Sequence, residues 1–388
     1  MERQGNRQMT AEFFIALLSD FLNKRETEQP ENIDWVELMR VAKLHEMAGI
    51  VYYQCKNFIP VEYQEQLNGF NASTLFYYAN RVKEEKTVLQ KLRDTGVRCF
   101  IIKGSVVAAY YPVPGLRTMG DTDIVVDDAE KAHEVLMASS GYTCKTKCAA
   151  YFKKDLLFEI HDHLTYVNEI NSPDLVIFFN SYWDYVKDGE LDWSFHLLFL
   201  ILHLRGHFYG SGVGVRQFMD IAALTKYNEA LDWPWIEQKL KELDLWTFSE
   251  KVFDLNRRWF GISAPMTLEP VEDAFYKEAT EELCSGGVFG SKSNNGRRIA
   301  AHGYKHPVLS MLKRVWGMVF VPYKNMIRMP QYSFLVGRPY LLPAAWVYRG
   351  WLTIRKKGMK NTTKGLQDSF VSKEAVEKQR MYIEKWNQ

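Results

Sequence analysis

Asp121 and Asp123 flank a threonine, and the residues that follow, Ile124-Val125-Val126, have the composition of a strand. Alternate residues of a strand share a face, so both carboxylates project together, about 6–7 Å apart, while Thr122 points away. Such a pair suits Mg²⁺ or Mn²⁺, since Mg²⁺ binds through one or two carboxylates plus substrate phosphate oxygens. A later run, residues 151–164, places Glu159, His161 and His163 on one face and Phe158 and Ile160 on the other. Glu159 is then a third carboxylate, able to bind an ion and to take the proton of an incoming hydroxyl. Upstream, Lys103-Gly104-Ser105 opens a helix. Gly104 allows close approach of backbone to a phosphate, and the Ser105 hydroxyl and free amides supply donors where the helix dipole favours an anion. Lys103 and Arg117 either neutralise a triphosphate, Arg117 through a bidentate fork, or act as surface ion-pair partners.

Several elements must position these groups. Helices are expected over 10–24, 33–57 and 61–95, then a strand over 97–102 and a short helix over 106–111 that Pro112, Pro114 and Gly115 end. The strand carrying Asp121 and Asp123 precedes a helix over 129–139, and runs 142–147 and 151–164 suggest a hairpin pairing with the earlier strands. Helices over 174–186, 193–208, 215–227, 233–244 and 246–260 follow. The expected division is an N-terminal helical region to 95, an α/β core over 96–170, a helical domain over 171–283, and a basic aromatic-rich extension over 284–388.

Strand, Gly-Ser, helix, strand, Asp-x-Asp and a later acidic strand form an ordered set that resembles the nucleotidyltransferase superfamily of the polymerase-β type. More closely, Ile102-Lys103-Gly104-Ser105, Arg117 to Ile124, Glu159-Ile160-His161, His203-Leu204-Arg205-Gly206-His207 and Gly214 to Asp220 resemble the bacterial family called uncharacterised nucleotidyltransferases. The resemblance covers much of residues 30–260. It implies an α+β, mostly helical protein with a small mixed sheet and flanking helices. It also implies Mg²⁺ on Asp121, Asp123 and Glu159, and NTP phosphates at Gly104-Ser105. The gap from Ser105 to Asp121 is longer than the superfamily pattern, as if an insertion carries Arg117. The transfer would move a nucleoside monophosphate, from ATP or another NTP, to an unidentified hydroxyl on a small molecule, protein or RNA.

His203 and His207 are spaced i, i+4, as metal ligands are, but lack the glutamate of a zinc protease; a buried pair or a lining of the nucleotide cleft is the simpler reading. Arg216 and Asp220, also i, i+4, suggest a helix ion pair, with a cleft role implied by the resemblance. Two readings of other classes compete: a glycosyltransferase that uses Asp-x-Asp to hold a nucleotide sugar, and a non-catalytic nucleotide-binding module such as a toxin–antitoxin component.

The chain of 388 residues is 47% hydrophobic and 25% charged, the composition of a folded protein rather than a disordered or collagenous one. Its five cysteines are scattered and read as reduced thiols of a cytoplasmic protein, and no apolar run is long enough to span a membrane. The formal net charge of +2 conceals a division. Residues 283–367 contain no acid and fifteen cations, and the tail from Asp368 has four of each sign, so residues 1–282 carry −13. Aromatics from Trp316 to Trp351 interleave with those cations. Residues 292–364 thus suit contact with RNA, an anionic membrane surface or the acidic body itself.

Overall fold

A computed structural model describes residues 2–144, 150–166, 171–210, 212–287, 316, 320–326, 330–357 and 373–388. The chain divides into two compact units, Met1–Ser291 with Trp386–Gln388, and Lys292–Lys385. The part of the expected strand beyond Cys144 and most cations of the basic run lie outside the described residues. No helix among the described residues is long and apolar enough to cross a membrane.

The first unit begins with four helices, α1 (Glu2–Leu22), α2 (Trp35–Leu44), α3 (Ala48–Cys55) and α4 (Val61–Asp94). The continuous helix expected over 33–57 is broken into α2 and α3. Glu46 takes a left-handed φ of 56° there, and the fully buried His45 donates from Nε2 to the Cys284 carbonyl at 2.9 Å. Since a carbonyl only accepts, Nε2 carries the proton. The pattern of apolar residues runs on across the break, which is why the periodicity conceals it.

Then come β1 (Cys99–Ile102), α5 (Gly104–Ala108), β2 (Thr122–Val126), α6 (Ala129–Ala138), β3 (Thr143–Cys144), β4 (Ala150–Lys153) and β5 (Leu156–His161). They form a mixed sheet of order β1-β2-β5-β4-β3. The expected run over 151–164 is two strands, because the chain turns at Lys154, whose φ is 54°. That turn lets β5 run parallel to β2, while β1 and β2 are antiparallel. Strand alternation sorts the two faces. Ile124, Val126, Phe158 and Ile160 point to one face and pack with Val88 and Leu92 of α4 and Ala132 and Leu136 of α6. Burying each large side chain stabilises by ~1.5–3 kcal/mol, so this layer anchors the sheet. Asp123, Glu159 and His161 have the opposite parity.

The unit continues through α7 (Pro173–Asn180), a small hairpin of β6 (Val186–Lys187) and β7 (Glu190–Leu191), then α8 (Trp193–Tyr209), α9 (Val215–Tyr227), α10 (Trp233–Glu242), α11 (Trp246–Phe260) and α12 (Asp273–Gly286). Exposed Asp192 caps α8 by accepting from the Phe195 amide at 3.0 Å. α8 is apolar nearly all round, as a helix at the centre of a unit must be. The protein is therefore α+β and mainly helical, with one mixed sheet and flanking helices. In the second unit Val321, Met326, Tyr332, Leu335 and Ala345 form a separate small core.

Candidate active site

The parallel pairing of β2 and β5 sets Asp123 directly opposite Glu159. His161 follows two residues later on the same face. One ligand atom from each of Asp123, Glu159 and His161 lies within 4.8 Å of the others. His161 Nε2 stands 2.8 Å from Asp123 Oδ1, and Lys103 Nζ stands 3.0 Å from Asp123 Oδ2. The carboxylate only accepts, so His161 donates through Nε2. Asp121 stands outside that group of three but lines the same cleft. This cleft, about 550 Å³, is also walled by Lys103, Gly104, His203, His207 and Arg216.

The Lys103-Gly104 turn is what aims the lysine at Asp123. Lys103 has a φ of 59° and Gly104 one of 42°, both in the left-handed half of conformational space. For a lysine that conformation costs ~1–3 kcal/mol and persists only where its surroundings hold it. Two contacts do so: the ion pair with Asp123, and the Lys103 backbone N–H, which donates to His196 Nε2 at 3.0 Å. His196 can accept only as a neutral ring. Burial, together with the Lys103 charge, pushes its pKa down to about 3.

Behind the strand lies a polar network that sequence reasoning did not identify. Arg81 and Glu85 of α4 are both buried. Arg81 donates to Thr122 Oγ1 at 2.9 Å and to the Gly120 carbonyl at 3.1 Å, and Thr122 donates in turn to Glu85 Oε1 at 2.7 Å. Ser105 also hydrogen-bonds to Glu85. The hydroxyl expected at a phosphate is thus engaged with α4, leaving Gly104 as the member of that pair that lines the cleft. Thr122 points away from the carboxylates as strand alternation requires, and there it pins the residues that precede Asp123. The available signal was an i, i+4 arginine–glutamate pair on a long polar helix, which normally marks a solvated face.

Arg117 and Asp220 form a closed pair. Arg117 Nε and Nη2 donate to the two carboxylate oxygens of Asp220, each at 2.7 Å, and Tyr111 donates to Oδ1 at 2.7 Å. Both partners are less than a tenth exposed. The ion pair expected between Arg216 and Asp220 is replaced by this fork from a distant loop. Arg216 instead reaches Thr118, at its carbonyl and its hydroxyl, and Glu46 at 3.2 Å. His203 and His207 sit ring against ring at 4.4 Å on α8. Burial foremost, then the Lys103 charge, keeps both rings below the usual histidine pKa.

The carboxylates divide electrostatically. Burial disfavours the Asp123 anion, but the His161 hydrogen bond and the Lys103 charge outweigh it and hold this carboxyl well below the usual range. Glu159 is shifted the other way, raised by partial burial and then by the negative charges of Asp121 and Asp123. Three carboxyl groups converge on one cleft where Lys103 and His161 already bind one of them. A divalent cation suits this donor set: carboxylate oxygens are the ligands Mg²⁺ and Mn²⁺ prefer, and the neighbouring negative charge that adds to burial in raising Glu159 is what a cation relieves.

A model of the family described as uncharacterised nucleotidyltransferase matches residues 31–261, a span that holds every residue named in this cleft. No curated protein and no solved structure matches the chain.

Proposed function

The chain belongs to the uncharacterised nucleotidyltransferase family, and on that premise we propose that it transfers a nucleoside monophosphate from an NTP to a hydroxyl acceptor, releasing pyrophosphate. The observation that carries this reading is the side-by-side placement of Asp123 and Glu159 on parallel strands, with Asp121 in the same cleft. Asp121, Asp123 and Glu159 are the residues that would hold Mg²⁺ or Mn²⁺, with His161 beside them. Bound there, the ion supplies positive charge at the triphosphate oxygens and favours ionisation of the attacking hydroxyl.

The protein groups have separable tasks. Glu159, with its raised proton affinity, accepts the proton of the acceptor hydroxyl. The acceptor oxygen forms a bond to the α-phosphorus, the bond to the bridging oxygen breaks, and the electron pair leaves with pyrophosphate. Lys103 reaches from the strained turn toward the carboxylates, where its ammonium would meet the phosphates. Gly104, with no side chain, leaves the backbone at that turn open to close approach. His161 orients the Asp123 carboxylate through its hydrogen bond.

The test is transfer of label. The protein is incubated with Mg²⁺, a cell lysate and each NTP labelled at the α-phosphate. A labelled acceptor is expected with α-label and none with γ-label, and Asp121→Ala/Asp123→Ala should abolish it. Undiminished labelling by the double variant would overturn the reading.

A further inference from the structure

A second pocket adjoins the carboxylate cleft. It also measures about 550 Å³ and shares Glu46, Arg117, Thr118 and Met119 with the cleft as a common wall. Beyond that wall its character changes. Phe70, Tyr77 and Tyr78 of α4 line it, and it contains none of the three clustered carboxyl groups. Ala48 and Gly49 form the facing side, where α3 comes so close to α4 that a Cβ on Gly49 would stand 3.5 Å from the Asn71 Cα. Arg81 also lines it, with both Nη atoms bonded on the strand side and its side chain hydrogen-bonded to Tyr77.

These features select a kind of ligand. A volume of this size is that of an ordinary small-molecule site. Aromatic walls favour a planar ring, which they meet in stacked or edge-to-face contact. The triphosphate belongs with the carboxylates on the other side of the shared wall, and a two-substrate transfer needs a second chamber next to the first.

We propose that this pocket is the acceptor subsite, and that the acceptor is a small aromatic compound bearing a hydroxyl. This inference rests on the nucleotidyl-transfer reading above. The ring lies between Phe70 and the two tyrosines, and the hydroxyl passes the Thr118-Met119 wall toward Glu159. There its proton goes to Glu159, its oxygen bonds the α-phosphorus, and pyrophosphate departs.

The probe is vanillyl alcohol, observed by saturation-transfer NMR on the full chain, alone and with Mg²⁺ plus α,β-methylene ATP. Vanillyl alcohol should bind in both conditions, because the two chambers fill together, and 1,6-hexanediol, of similar size without a ring, should not. Ser73→Trp, at an exposed position lining the pocket, should weaken the probe about tenfold, ~1.4 kcal/mol, and leave nucleotide binding unchanged. Equal probe binding by Ser73→Trp, or binding of the hexanediol, overturns the subsite. Displacement of the probe by the nucleotide analogue also overturns it, and assigns the pocket to the base. If the unmodified protein binds the probe but not the Mg²⁺–nucleotide, the transfer reading itself fails and the acceptor role falls with it.

Discussion

Two walls of one cleft carry buried charge, and they are built on opposite terms. On the α9 side Asp220 takes both arms of the Arg117 guanidinium and the Tyr111 hydroxyl, so each charge has its counterpart. On the sheet side Asp121, Asp123 and Glu159 face Lys103 and His161, and Glu159 is left with a raised pKa. A closed ion pair fixes structure, because both its members are committed. An excess of like charge on rigid strands is unfavourable until a cation arrives, so it marks where a ligand belongs.

Substitutions in either wall separate the two roles. The largest effect on stability is expected from Asp220→Ala, which leaves Arg117 buried without its partner and should cost about 3–5 kcal/mol. Denaturant titration measures it, and a loss below 1 kcal/mol, within ~1 kcal/mol of wild type, would show that the pair does not hold this wall. Next is Thr122→Val, which removes the hydroxyl between Arg81 and Glu85 and should cost about 1–3 kcal/mol. Nucleotide transfer should fall as well, since Thr122 holds the strand between Asp121 and Asp123.

A smaller effect comes from pH. His45 and His196 are buried and held neutral, with burial pushing them to about 4 and about 3. Their folded pKa values lie below the unfolded one, so the stability they allow is complete above about pH 6.5 and is lost as pH falls toward those folded values. The melting temperature should therefore drop between pH 7 and pH 5, by an amount that His196→Asn reduces; a flat profile would contradict the assignment. The smallest effect sharpens the other wall. Glu159 has a raised folded pKa, so its ionisation opposes folding increasingly as pH rises through that value. Glu159→Gln should slightly raise the metal-free melting temperature at pH 7 while abolishing transfer. A melting temperature lowered by that change would mean the carboxylates are not in excess.

What could be read from the sequence depended on how local the physics was. Strand alternation alone put Asp121 with Asp123 and Glu159 with His161, because a period of two is fixed by the backbone. It could not show that Glu159 would stand against Asp123, since that depends on a turn at Lys154 and on which strands become neighbours. The family resemblance supplied the fold that spacing could not. Arg117 and Asp220 are separated by 103 positions, so an i, i+4 partner for Asp220 was the nearer reading and the wrong one. Arg81 and Glu85 were unreadable for another reason. On a long polar helix nothing in their types distinguishes a buried pair from a solvated one, and only the docking of α4 behind β2 separates them.

The central claim is that the unbalanced wall is a cation-dependent nucleotide site. Calorimetric titration of α,β-methylene ATP, with and without Mg²⁺, into wild type and Asp121→Ala/Asp123→Ala tests it most directly. Wild type should bind in a Mg²⁺-dependent manner and the double variant should not, with both proteins shown to be folded by circular dichroism. Equal binding by both, or binding indifferent to Mg²⁺, would contradict it.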